Sequence, residues 1–178
     1  MRGDSMSIIM DLFRRSQKER QENLDQEGFW EIINCIDHEY GGDSEAVISS
    51  IVRHLKNCGD EYIFAFDDMV SELIYGLDGR EYAEGLFEGE EFAEEKFLSA
   101  RCAAIAMGAE HYDDVKNHRR KLSGENIHEY KGRWYGVTDG LMTAAADAWS
   151  RKHLDEVKNY PHKPRYCLAS HSNSEMWE

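Results

Sequence analysis

The sequence predicts a single all-α domain, an orthogonally packed bundle of seven or eight helices with one short β-hairpin near residues 127–137. Three observations predict it. Apolar residues recur at three- and four-residue intervals along most of the chain, which is the period of one buried helix face. Both prolines, Pro161 and Pro164, lie close to the C-terminus, so the strongest helix breaker is missing from everything before them. The chain has 178 residues, 41% of them hydrophobic and 11% aromatic, which suits one core and supplies enough apolar surface to offset the entropy lost in folding. The expected boundaries are a peripheral N-terminal helix over 1–24, a helical domain over 25–158 and a C-terminal tail over 159–178 that wraps or frays, loosely held.

The first element, "DSMSIIMDLFRRSQKER", has Asp4 or Ser5 as N-cap and sets Ile8, Ile9, Leu12 and Phe13 on one side. It reads as a docking arm and as a route to a homodimer. "FWEIINCIDHEY" carries a stripe of Phe29, Trp30, Ile33 and Ile36 and stops at Gly41-Gly42. Asp43 or Ser44 then caps a helix with Val47, Ile48, Ile51, Val52 and Leu55 inside, followed by Lys56 and a Gly59 stop. "DEYIFAFDDMVSELIYGL" is apolar over more than one stripe, so it is expected to be the central helix. A shorter helix follows in "DGREYAEGLFEG", punctuated by Gly85 and Gly89, then one through Phe92, Phe97, Leu98, Cys102 and Ile105. "AEHYDDVKNHRRKL" starts acidic and finishes basic, as a helix dipole prefers. Glycines among aromatics in "SGENIHEYKGRWYGV" break the helical pattern and suggest the hairpin. Helix resumes after Thr138 or Asp139 as cap, with Leu141, Met142, Ala145 and Trp149 inside.

From Gly28 to Leu122 the order of elements is distinctive. A Phe-Trp helix, a Gly-Asp turn, a helix with an Ile/Val stripe and an Ile-Phe-x-Phe helix ending in acids lead into "YAEGLFEGEEFAEEKFLSARCAAIAMGAEHYDDV". This stretch resembles the bacterial domain-of-unknown-function family DUF4240. The resemblance implies an α-helical bacterial domain and brings no catalytic residues with it.

Charge and motifs narrow the function classes. A formal charge of −14 repels nucleic-acid backbones and anionic membranes, so neither is an expected partner. No apolar run of membrane-spanning length and no secretory signal core occur, which points to the cytoplasm. Cys35, Cys58, Cys102 and Cys167 stand far apart without a Cys-x-x-Cys pair. Three of them read as small core residues, with Cys167 in the tail left open. No nucleophile elbow, phosphate-cradling loop or His-Glu-x-x-His occurs, and no cofactor is implied. A scattered site using Cys58 or Cys102 with a distant histidine stays open. One Glu125-x-x-His128 is present where a di-iron bundle needs two such motifs and further glutamates, so no metal is expected. Asp114 and His118, four apart, read as a helix pair.

From Asp60 to Lys96 there are 13 acidic residues against Arg80 and Lys96, a net of −11. If the segment is helical, Glu84, Glu88, Glu91 and Glu95 share a face, where like charges at four-residue spacing repel. That face is either a solvated surface or a docking surface for a basic protein, since concentrated acid speeds encounter with a cationic partner. The preferred function is an acidic protein-binding module, immunity-type against a basic toxin or regulatory, with Trp134 and Tyr135 as apolar anchors. The alternative is a small-ligand binder or enzyme using the Gly and aromatic loop 132–136. The basic run Lys116 to Leu122 serves either a helix C-terminus or a contact with an anion or the chain's own acid face.

Overall fold

The computed structural model describes residues 24–36, 44–125, 127–130 and 133–178; for residues 44, 45, 129, 130 and 133–135 it describes the backbone only. The first expected helix and the dimer contact built on it lie outside the described residues, as does the Gly41-Gly42 stop. The described residues form seven α-helices: α1 (Gln26–Ile33), α2 (Ser44–Leu55), α3 (Asp60–Gly76), α4 (Arg80–Phe87), α5 (Glu94–Ala106), α6 (Ala109–Lys116) and α7 (Ala144–His153). A two-stranded antiparallel hairpin, β1 (Ile127–Tyr130) and β2 (Arg133–Gly136), stands between α6 and α7, as the glycine spacing suggested. The fold is all-α apart from that hairpin.

Local chemistry sets several boundaries. Asp25, outside the expected Phe-Trp pattern, caps α1 by accepting the Gly28 amide at 2.8 Å, one of the orphan donors of a helix start. Gly59 is the N-cap of α3, where its extended backbone opens the next helix. At the far end of the sequence Asp139 does not cap a long helix. It opens a 3-10 turn, Asp139–Met142, and its carboxylate accepts from Ser99 Oγ at 3.0 Å and the Gly136 amide at 2.7 Å. The chain thereby folds the end of β2 onto α5. Gly136 has no room for a side chain there, since a Cβ would stand 2.8 Å from that of Ser99.

The core is a single cluster in which Phe29, Ile33, Ile51, Leu55, Ile63, Phe66, Ile74, Phe97 and Ile105 are fully buried. Phe29 meets Phe66 with ring centroids 5.2 Å apart. The most enclosed helix is α5 rather than the expected α3. Its Phe97, Ser99, Ala100, Arg101, Cys102, Ala104, Ile105 and Ala106 are all buried, so it is covered on every side, as an interior helix must be. Cys58 and Cys102 are buried as expected, whereas Cys35 is exposed because α1 ends two residues earlier. At one end of the bundle Lys152 Nζ and His153 Nε2 of α7 reach Asp60 Oδ1 at 2.6 and 3.0 Å, joining a helix C-terminus to the first turn of α3.

The tail takes one of its two expected courses and wraps as a strap, although it is bonded more firmly than a loosely held tail: residues between 162 and 177 reach Asp68, Ser71, Asp78, Glu94 and Arg101. Asp68 pairs with His162 Nε2 at 3.1 Å and accepts the Arg165 amide at 2.8 Å. Arg101 donates to the Leu168 carbonyl at 3.1 Å and Ser170 Oγ at 3.3 Å. Asp78, one residue beyond the end of α3's cap, accepts from the His171 amide, Ser172 Oγ, the Asn173 amide and the Trp177 indole at 2.9–3.1 Å. Asp78 and Arg101 have no exposed side-chain surface and stand 3.8 Å apart. Gly79 lets the strap close, since a Cβ there would lie 2.9 Å from that of Met176.

Two buried carboxyls consequently titrate in opposite directions. Burial alone would raise Asp78, but the donors from Asn173 and Trp177, Arg101 and the His171 amide outweigh it and hold the carboxyl below its usual range. For Asp67, burial dominates and pushes the carboxyl up to about 6. Asp78 therefore contributes stability that is complete above the ordinary carboxyl value of about 4 and is lost as pH falls through its lower folded value. The protection of the amides of residues 165–173, relative to their intrinsic exchange at each pH, is expected to fall in acid before the helical circular dichroism does. Asp78→Asn is expected to lose about 3–5 kcal/mol in urea unfolding, because it strands the buried Arg101 charge. Asp67→Asn should do the reverse. Ionised Asp67 is penalised fully above pH 6, so the amide is expected to gain on the order of 2 kcal/mol at pH 7 and nothing below about pH 4.

Candidate functional site

The acidic run does not form one helix face. The α4 helix ends at Phe87, and Glu88 and Gly89 take positive φ values of 26° and 93°, a conformation that suits the glycine and breaks the helix. Glu84 and Glu88 therefore sit at the end of α4, Glu91 lies in the turn, and Glu95 occupies the first turn of α5, where the helix dipole favours acid. The turn is drawn inward by aromatics: Phe92 packs between Phe87 and Phe97, with centroids at 5.2 and 5.8 Å. The repulsion expected of a continuous acidic stripe is thus relieved by geometry.

What the turn builds instead is a hollow of about 620 Å³ between α4, the turn and the strap. Its floor is aromatic. Phe92 meets Trp177 edge-on at 6.0 Å and His171 at 5.6 Å, while His171 stacks on Trp177 at 3.7 Å. Glu84, Glu88 and Glu90 line the same hollow. Arg80 also borders it, its guanidinium donating to the Trp177 carbonyl. Glu90 pairs with Lys96 at 2.6 Å and Glu88 with Lys121, whose ammonium holds the Glu88 carboxyl below its usual range. Glu84 and Glu91 make no ion pair among the described residues.

A second hollow of about 420 Å³ lies across Glu84 and Glu88, lined also by Tyr82, His118, Arg120 and Lys121. The basic run thus meets the chain's own acid helix, one of its two expected roles. His118 stacks on Tyr82 at 5.0 Å and faces Glu81 at 3.4 Å. It does not pair with Asp114, because α6 ends at Lys116 and His118 turns away at φ 56°. Asp114 is bonded by Arg119 at 2.7 Å instead.

The hairpin pairs His128 with Tyr135 and Glu129 with Trp134, but the side chains of Trp134 and Tyr135 lie outside the described residues. Glu125 precedes β1 and His128 lies on it, so the helical spacing that would bring the two together does not apply. Among the described residues no group of three or more His, Cys, Asp or Glu could hold a metal ion. Burial pushes the Cys58 and Cys102 thiols up, Cys102 far above the usual range, which leaves both thiols protonated and poorly nucleophilic at neutral pH. A cavity of about 270 Å³ does open at the hairpin's base, against Ala100, Ala103 and Ala104 of α5, with His111 and Glu125 at its edge. Burial, with Arg120 nearby, pushes the His111 imidazole down.

Phe87, His171 and Trp177 were not singled out by sequence reasoning, and Phe92, expected as an apolar position of the helix through Phe97, lies in the turn before α5 because that helix starts at Glu94. The available signal was a tryptophan in an otherwise polar tail, since such a ring is rarely left without a surface to cover. None of the described helices is long and apolar enough to cross a membrane.

No curated protein and no solved structure matches the chain. The family described as "Protein of unknown function (DUF4240)" matches residues 24–151. That span runs from the cap of α1 through the hairpin and most of α7 and stops short of the strap. With well over half of its length inside that match, the chain belongs to the DUF4240 family.

Proposed function

We propose that this protein is a protein-binding module that docks a basic partner, seating a Lys or Arg side chain of that partner in the hollow between α4 and the strap. The observation that carries this reading is the hollow's lining, in which Glu84, Glu88 and Glu90 stand with the rings of Phe92 and Trp177 against a single basic side chain among the described residues, Arg80, that is bonded to the Trp177 carbonyl. A cation entering it gains ring-quadrupole attraction and Coulomb attraction together. Glu91 and Glu95 extend the negative surface beyond the rim, and the chain's net charge of −14 accelerates encounter with a cationic protein. Neutralising a basic toxin and regulating a basic enzyme are the two forms such a module takes.

A second reading has its own observation. The cavity beside the hairpin is apolar, about 270 Å³, and carries a histidine and a glutamate at its edge, as a site for a small ligand would.

Capture from a lysate of the source organism, repeated at low salt and at about 0.5 M, separates the two when it is run with charge-reversed bait. Wild-type bait is expected to retain one basic protein that is lost at high salt, and Glu84→Lys with Glu88→Lys is expected to weaken that partner's affinity about tenfold or more. Undiminished affinity in the doubly reversed protein would remove the hollow from consideration. A small molecule retained by the purified wild-type protein in native mass spectrometry and lost in Ala104→Phe, which fills the hairpin cavity, would favour the second reading.

A further inference from the structure

The geometry points to the cavity at the hairpin's base as a binding site for one uncharged bicyclic molecule, apolar but for a hydroxyl group at its outer end. The inference rests on the second reading above and deepens it by naming the ligand's class. Polarity is sorted along the cavity. Its closed end is made by Val47, Ala100, Ala104 and Ile127, which are 2%, 1%, 3% and 8% exposed and carry no polar side-chain atom. Its mouth is made by His111, Glu125 and Thr138, with Glu125 exposed to solvent. A guest that enters body first buries its apolar surface and keeps one polar group at the rim.

The volume sets the size of the guest. Protein interiors leave few voids larger than a water molecule, and water would fill this one poorly, because each molecule needs several polar partners that the closed end does not offer. An apolar cavity of about 150 Å³ is filled by one benzene ring, so a space of about 270 Å³ takes a fused pair. The mouth sets the head group. His111 makes no side-chain hydrogen bond among the described residues. Burial, with Arg120 nearby, pushes its imidazole down, so at neutral pH the ring is uncharged and offers one donor and one acceptor. Arg120 and Glu125 carry opposite charges, so neither an anionic nor a cationic head gains from both, and either must shed its water to enter. A hydroxyl both donates and accepts, which matches the neutral imidazole and the Thr138 hydroxyl at the same mouth.

Four probes that share one ring system test this on the full-length protein at neutral pH: naphthol, naphthalene, naphthoate and naphthylmethylamine, each followed by its own fluorescence. Naphthol is expected to bind one to one and about tenfold or more tightly than the anionic and cationic probes, which lose hydration on entry. His111→Leu is expected to weaken naphthol about fivefold or more and to leave naphthalene unchanged, because only the hydroxyl uses the imidazole. Ala104→Phe is expected to abolish binding of both. Should that variant fail to fold, Ala103→Leu, at a half-buried position of the same lining, is expected to weaken both about tenfold or more. Naphthol that binds no better than the charged probes, or is indifferent to His111→Leu, would overturn the hydroxyl class while leaving the cavity a small-ligand site. Binding unaffected by either filling substitution would put the guest elsewhere and overturn the site. No binding by any of the four probes would overturn the inference and the second reading together.

Discussion

The buried pair of Asp78 and Arg101 is the constraint that organises this molecule. A charge moved out of water without partners is prohibitive, and an ion pair at 3.8 Å does not by itself repay the desolvation of both groups. The structure makes up the difference with donors and acceptors around the pair. Arg101 reaches the Ile74 carbonyl of α3 as well as the strap, and its guanidinium lies 4.5 Å from the Phe97 ring centre. Asp78 accepts four hydrogen bonds, all from residues 171–177. The charges thus commit α3 and α5 to be covered by the strap, and the strap in turn supplies two rings of the hollow's floor. Of the pair's own polar atoms, Arg101 Nε is the one without a hydrogen-bond partner among the described residues.

Much of the helical frame was legible because burial imposes a period on the sequence. The stripe of Val47, Ile48, Ile51, Val52 and Leu55 is buried as its spacing required, and the glycines around "GRWYG" did mark a hairpin. The seat of the strap was not legible, since a segment held by scattered main-chain and side-chain hydrogen bonds imposes no apolar period at all. Asp67 and Asp78 were invisible for a related reason. Among 13 acids in one stretch they look like two more solvated charges, yet they are 6% and 0% exposed. The acid run misled through its turn: a helical wheel drawn across Glu84 to Glu95 assumes continuity that Gly89, at φ 93°, interrupts.

Net charge also proved a poor guide to the local field. The basic run after α6 folds back so that Lys121 meets Glu88 and His118 meets Glu81, and Lys96 answers Glu90 across the turn. Exposed pairs of this sort contribute little stability. Their effect is on shape, since they hold the carboxylates around a hollow with an aromatic floor, while Glu84 makes no ion pair among the described residues. The small residues of α5 act similarly on the other side. Ala100, Ala103 and Ala104 bring the hairpin near the helix without filling the space between them.

The strap has a last consequence, in the order of events during synthesis. Helical proteins fold fast because most of their contacts join near neighbours in the chain. Here the bonds from His162, Arg165 and Trp177 to α3 and the residues following it span 94, 97 and 99 positions. A ribosome makes those residues after the helices they cross. Until residues 171–177 dock, Asp78 lacks the four donors it has in the fold, so their docking is the step that completes the site around the buried pair.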